Sequence, residues 1–107
     1  MNEFMLLFHS APYSAEQMQA SIPQWQDWMG GIAAQGIMTG ANRLAYDGHV
    51  VKPGHIVTDG PYVETKEMLG GYIIVKADNL AHAVELSKGC PVFSVGGNVE
   101  VRPIIPR

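Results

Sequence analysis

The stretch Glu3-Phe4-Met5-Leu6-Leu7-Phe8-His9 decides how the rest of the chain is read. As a strand it points Phe4, Leu6 and Phe8 to one side and Met5, Leu7 and His9 to the other, so both of its faces require cover. Outward from it, Ser14 with Gln17 three residues later has the form of a capping box that opens a short helix. Ile22-Pro23 suits a restart with Pro23 in the first turn, and the main helix then runs to about Gln35. Trp25, Trp28, Met29 and Ile32 keep i, i+3, i+4, i+7 spacing and give that helix an apolar stripe fit to lie on a sheet. Gly30 and Gly31 each weaken it by roughly 1 kcal/mol relative to Ala, which calls for a close backbone contact at these positions. Gly36 supplies the stop.

Residues 37–45 contain strand-compatible residues that alternate poorly. Tyr46-Asp47-Gly48 marks a turn into His49-Val50-Val51, and Ile56-Val57-Thr58 is extended beyond Gly54, so an irregular hairpin is expected here. Residues 71–76 form a strand, Asp78 or Asn79 caps a helix with Leu80, Ala83, Val84 and Leu86 at near-helical spacing, and Gly89 with Pro91 ends it. Residues 98–104 form the last strand. This order predicts an α+β fold, a ferredoxin-like sandwich whose antiparallel sheet carries two helices on one face. The other face, with Met5 and Leu7, either Ile73 and Val75 or Tyr72 and Ile74, and Val99 and Val101, is too apolar to leave in water, and a homodimer is the expected cover.

The 107 residues fit one domain spanning 1–107. Hydrophobic content of 47% places the chain among ordinary globular proteins. The net charge of −3 comes from seven basic and ten acidic residues with no basic stripe, so nucleic acid is not an expected partner. No stretch approaches the roughly 20 apolar residues of a membrane span, and the single Cys90 can close no intramolecular disulfide, so the expected setting is reduced and cytoplasmic.

Charge gathers in one place. Val57-Thr58-Asp59-Gly60-Pro61-Tyr62-Val63-Glu64-Thr65-Lys66-Glu67, closed by Gly70-Gly71-Tyr72, sets a tight turn and four charged groups between two apolar strands, in a chain only 16% charged. Such crowding suggests a pocket rim or an interface. The run Asp59-Gly60-Pro61-Tyr62, Glu64, Lys66-Glu67 and Gly70-Gly71-Tyr72 resembles the YCII-related group with its Asp-Gly-Pro-Phe signature, also called the DGPF-domain family. The segments 89–93 and 96–104 look like the closing part of the same group. The resemblance implies a ferredoxin-like fold of the dimeric α/β-barrel type, with small-molecule sites in the clefts the two sheets enclose. Many members pair a His on the first helix with an Asp in acid/base geometry. This chain has Gln24 and Trp25 near that place and Cys90-Pro91 where many relatives have Asp-Pro, so that dyad is not carried over, and fold analogy alone supplies no activity.

The candidate catalytic groups are Asp59 and His9. Asp59 becomes a general base if a cleft removes it from water, or it fixes the loop through Asx-type hydrogen bonds. His9, at the end of a central strand, opens into a cleft or is satisfied in an interior or interface. Tyr62, Glu64, Lys66, Glu67 and Arg102 are the candidate binding residues. Tyr62 stacks on a ligand or fills the edge of the core. Glu64, Lys66 and Glu67 orient a polar substrate or only solubilise the surface, and Arg102 holds a carboxylate or pairs with Glu67 or Glu100. His49 and His55 flank the hairpin with Asp47, and His82 lies on the second helix, without compact ligand spacing, so no metal is expected. Cys90 at a helix C-terminus is no nucleophile, and the absence of a phosphate loop, Ser elbow or Cys-pair motif predicts no cofactor. The function expected is a homodimer that binds a small polar or aromatic metabolite in an intersheet cleft, with acid/base chemistry of lyase or isomerase type where His9 and Asp59 act together. The alternative is a non-catalytic dimerisation or regulatory interaction module.

Overall fold

A computed structural model describes residues 1–60 and 67–107. Strands β1 (Asn2–Ser10), β2 (Met38–Arg43), β5 (Met68–Ala77) and β6 (Asn98–Pro103) form one antiparallel sheet in the order β2-β5-β1-β6. Helices α1 (Ala15–Ala34) and α2 (Leu80–Ser87) complete the βαβ–βαβ arrangement of a ferredoxin-like sandwich, and β3 (Gly48–Lys52) pairs with β4 (Ile56–Gly60) as a separate two-stranded hairpin. A short 3-10 helix, Pro91–Val95, joins α2 to β6.

The pleat of β1 sorts the sheet. Phe4, Leu6, Phe8 and Ser10 are buried, while Met5, Leu7 and His9 are half-buried on the opposite side. Register extends this division across the sheet, because residues directly opposite one another share a face. Phe4 opposes Val75 and Leu6 opposes Ile73, whereas Met5 opposes Ile74 and Leu7 opposes Tyr72. The helix side therefore receives Ile73 and Val75, and the open side receives Tyr72 and Ile74. On β6, Val101 opposes Leu6 and Val99 opposes Phe8, so both valines pack onto the core. This corrects the expectation that they belong to the second face; Asn98, Glu100 and Arg102 stand there instead. Leu6, Ile73, Val75 and Val92 are fully buried, and each contributes roughly 1.5–3 kcal/mol relative to an exposed side chain.

Ser14 opens α1 with a complete capping box: its hydroxyl accepts from the Gln17 N–H, and the Gln17 side chain accepts from the Ser14 N–H. The helix continues through Pro23, without the expected restart. Pro23 and Gln19 are both exposed, so the backbone carbonyl deprived of its donor four residues earlier lies on the solvent side. Ile32 is buried, and Trp25, Trp28 and Met29 pack against the core, as the stripe requires. Gly30 and Gly31 are exposed and a Cβ on either would meet nothing within 4 Å, which overturns the close contact expected for them. Asn79 caps α2 by accepting from the His82 N–H at 2.9 Å. Ala83 and Ser87 form the buried face of α2, and Leu80 and Val84 are exposed despite their spacing.

Asp59 and Gly60 lie in strand β4, opposite His49 and Gly48, rather than in a turn. A Cβ at Gly60 would stand 2.8 Å from Val50 Cγ2, so a close approach accounts for this glycine. Gly97 is more constrained: its Cβ would fall 2.5 Å from Val92 Cγ2 and 2.6 Å from the His9 carbonyl oxygen.

Two glycine substitutions of opposite sign follow, both read by urea denaturation. Gly97→Ala is expected to cost about 2–3 kcal/mol through overpacking, while Gly30→Ala gains about 0.5–1 kcal/mol from backbone entropy.

Candidate functional site

Two groupings of polar or aromatic side chains lie on opposite sides of the sheet. On the open side, alternation along β6 aligns Asn98, Glu100 and Arg102 next to His9 of β1. His9 Nε2 stands 3.0 Å from Glu100 Oε1, and Arg102 Nη1 donates to Glu100 Oε2 at 3.2 Å. A carboxylate only accepts, so Nε2 carries a proton in this hydrogen bond. The His9 and Arg102 hydrogen bonds hold the Glu100 carboxyl below its ordinary value. Beside this chain, Asn98 Nδ2 donates to Glu67 Oε2 at 2.7 Å. A bulge in the β1–β5 pairing, between Phe8 and His9, sets the end of β1 where His9 projects.

The structure thus brings His9, Arg102 and Glu67 to one region and supplies Glu100 as the carboxylate beside the imidazole. Glu100 was legible in principle, because Glu100-Val101-Arg102 puts an acid and a base on one strand face beside the strand that ends in His9. Asp59 belongs to the hairpin, where its fully exposed carboxylate lies 3.8 Å from His49 Nδ1. Tyr62, Glu64 and Lys66 lie outside the described residues. His82 Nδ1 accepts from the Asp78 N–H at 3.0 Å, supporting the start of α2. Among the described residues, no three His, Cys, Asp or Glu side chains gather as a metal would require.

The helix side contains a cavity of about 300 Å³ between α1, β2 and β5. Its walls include Phe8, Trp25, Met29, Ile73 and Val92. Phe8 and Trp25 meet edge to face with centroids 5.0 Å apart, and Trp28 extends the cluster at 5.7 Å from Phe8. Trp28 Nε1 also donates to the Leu86 carbonyl at 3.1 Å, tying α1 to α2. The polar groups at the cavity come from α1 itself, which brings Ser21 and Gln26, and from the chain on either side of it. Tyr13 N–H donates to the Tyr46 hydroxyl at 3.3 Å, and Arg43, opposite Gly71 and hence on the helix side, donates from Nη2 to Met18 Sδ at 3.3 Å. The Tyr13 hydroxyl is buried with no partner among the described residues, and burial pushes its pKa up.

Sequence reasoning missed this cavity. Its signal was the pair of tyrosines bracketing an aromatic helix stripe, but only the tertiary fold shows that the stripe leaves space beside Phe8 rather than closing upon it.

The YCII-related domain matches residues 2–107 of this chain. The chain belongs to the YCII-related domain family. No curated protein matches it. Trp25, one of the two residues near the helix position at which this chain departs from the pattern the resemblance implies, lines the cavity. Cys90, at the expected Asp-Pro site, is buried, and burial pushes its thiol up to about 12. Loss of hydration on burial, rather than the helix dipole, is the main cause of that rise.

Two measurements check these electrostatics. Cys90 is expected to resist a thiol reagent at pH 8 in the folded protein and to react fully in urea. Glu100 contributes stability that is present above its ordinary value of 4.5 and is lost as pH falls through the lower folded value. Glu100→Gln therefore flattens the stability profile below that pH, and at this exposed site it costs less than about 1 kcal/mol at neutrality.

Proposed function

We propose that this YCII-related chain binds a small aromatic or polar metabolite in the cavity between α1 and the sheet. The observation that carries this reading is the cavity of about 300 Å³, apolar over most of its wall and edged by a few polar groups. Ligand sites usually have that composition, and this volume matches the small end of their range of roughly 300–1,000 Å³. The proposal places the ligand within one protomer, on the opposite side of the sheet from an intersheet cleft.

A homodimer formed through the open face belongs to the same proposal. Met5, Leu7, Tyr72 and Ile74 stay half-buried there, and covering them removes apolar surface from water. The His9–Glu100–Arg102 chain supports acid/base chemistry in a cleft lined by that face, with Glu100 orienting His9 and Asp59 remaining on the hairpin. A second reading, a non-catalytic interaction module, draws on the exposure of Val51, Ile56 and Val57 along β3 and β4. A two-stranded hairpin is marginal in water unless it is packed against something.

The test is a thermal-shift screen of small aromatic metabolites against the native chain and Ile22→Trp. Ile22 lines the cavity but is 39% exposed, so a larger side chain can enter the space without breaking the core. Ligands that raise the native melting temperature by several degrees are expected to lose that effect in Ile22→Trp. Equal shifts in both proteins would place the ligand elsewhere.

A further inference from the structure

Resting on the cavity reading above, the donor inventory of the cavity narrows the chemistry of its occupant. The Ser10 hydroxyl donates to the Ala11 carbonyl at 2.9 Å and the Ser21 hydroxyl to the Met18 carbonyl at 3.0 Å, so both protons are committed to backbone. The Tyr46 hydroxyl accepts from the Tyr13 N–H, which leaves its own proton free to be donated. Arg43 presents a guanidinium whose partner among the described residues is the Met18 thioether, a weak acceptor. No Asp or Glu is among the described residues around the cavity. The Tyr13 hydroxyl is a second phenolic donor, buried without a hydrogen-bond partner, and Gln26 adds an exposed amide, so among the described residues the site has a cation and two phenolic donors with no carboxylate to satisfy them.

Arg43 is exposed and Tyr46 half-buried, which puts the donors at the mouth, whereas Phe8, Ile73 and Val92 form a buried inner wall. A guanidinium recognises a planar carboxylate through paired parallel hydrogen bonds. Phe8 and Trp25 offer ring surface to a flat body, and Met18 and Met29 can adjust to its outline because their side chains are unbranched.

We propose that the cavity selects a flat aromatic carboxylate, its ring system against Phe8 and Trp25 and its carboxylate held at the mouth by Arg43 and Tyr46. An aromatic amide of equal size fills the same space but leaves the guanidinium without its anion.

The experiment is calorimetric titration with 2-naphthoate and 2-naphthamide, in the native chain and in Arg43→Gln. Arg43 is exposed on β2, so the substitution leaves the core intact. The expected result is that naphthoate binds at least about tenfold more tightly than the amide, as a charge-assisted pair would give, and that Arg43→Gln erases the difference by weakening naphthoate far more than the amide. Equal binding of both probes to the native chain would overturn the acid preference and leave the cavity reading standing. A naphthoate preference that survives in Arg43→Gln would overturn the assignment to this arginine. Binding of neither probe would overturn both the preference and the cavity reading.

Discussion

The alternation of side chains along β1 is the constraint on which the rest of the molecule depends. Phe4, Leu6 and Phe8 must be covered by helices, and the same pleat sends Met5, Leu7 and His9 to the far side. Phe8 then becomes the contact for Trp25 and Trp28, which fixes how α1 crosses the sheet and where the cavity opens. One residue further, His9 meets Glu100 on the other face. Both candidate sites are thus placed by adjacent residues of one central strand. A one-residue slip in register would exchange their sides and bury a charged chain against the helices.

The local signals in the sequence were the easiest to read. The Ser14–Gln17 capping box, the stripe from Trp25 to Ile32 and the Asn79 cap depend on neighbours within a few residues, and the structure contains all three. The fold class also followed from the order of elements along the chain, because two helices separated by apolar strands leave few arrangements that bury both. What could not be read was set by distant pairing. Whether Ile73 or Ile74 faces the helices depends on its register with β1, and Val99 and Val101 are core residues because of their partners on that strand. Asp59-Gly60 looked like a turn from composition alone, yet β3 pairs with it and makes it strand. Gly30 and Gly31 show the converse: glycines at exposed positions of a helix need no packing partner at all.

The candidate site was legible only in its charged part. His9, Glu67 and Arg102 are polar residues near strand ends, a pattern that sequence can display. The cavity is a vacancy bounded by apolar residues, and sequence records those residues as core whether or not they close the space among them. Its polar edge was hidden as well, because Arg43 lies in a segment of poor alternation and reaches the helix side only through its pairing with Gly71.

The central claim, that the ligand site is the α1 cavity rather than the open face or the hairpin, is tested most directly by following the backbone and indole N–H resonances during titration with 2-naphthoate. The account predicts that the Trp25 indole and the Tyr46 and Arg43 amides move together and saturate, while His49 and Asp59 on the hairpin stay fixed. Shifts confined to His9, Glu100 and Arg102, or to the β3–β4 hairpin, with Trp25 unmoved, would contradict it.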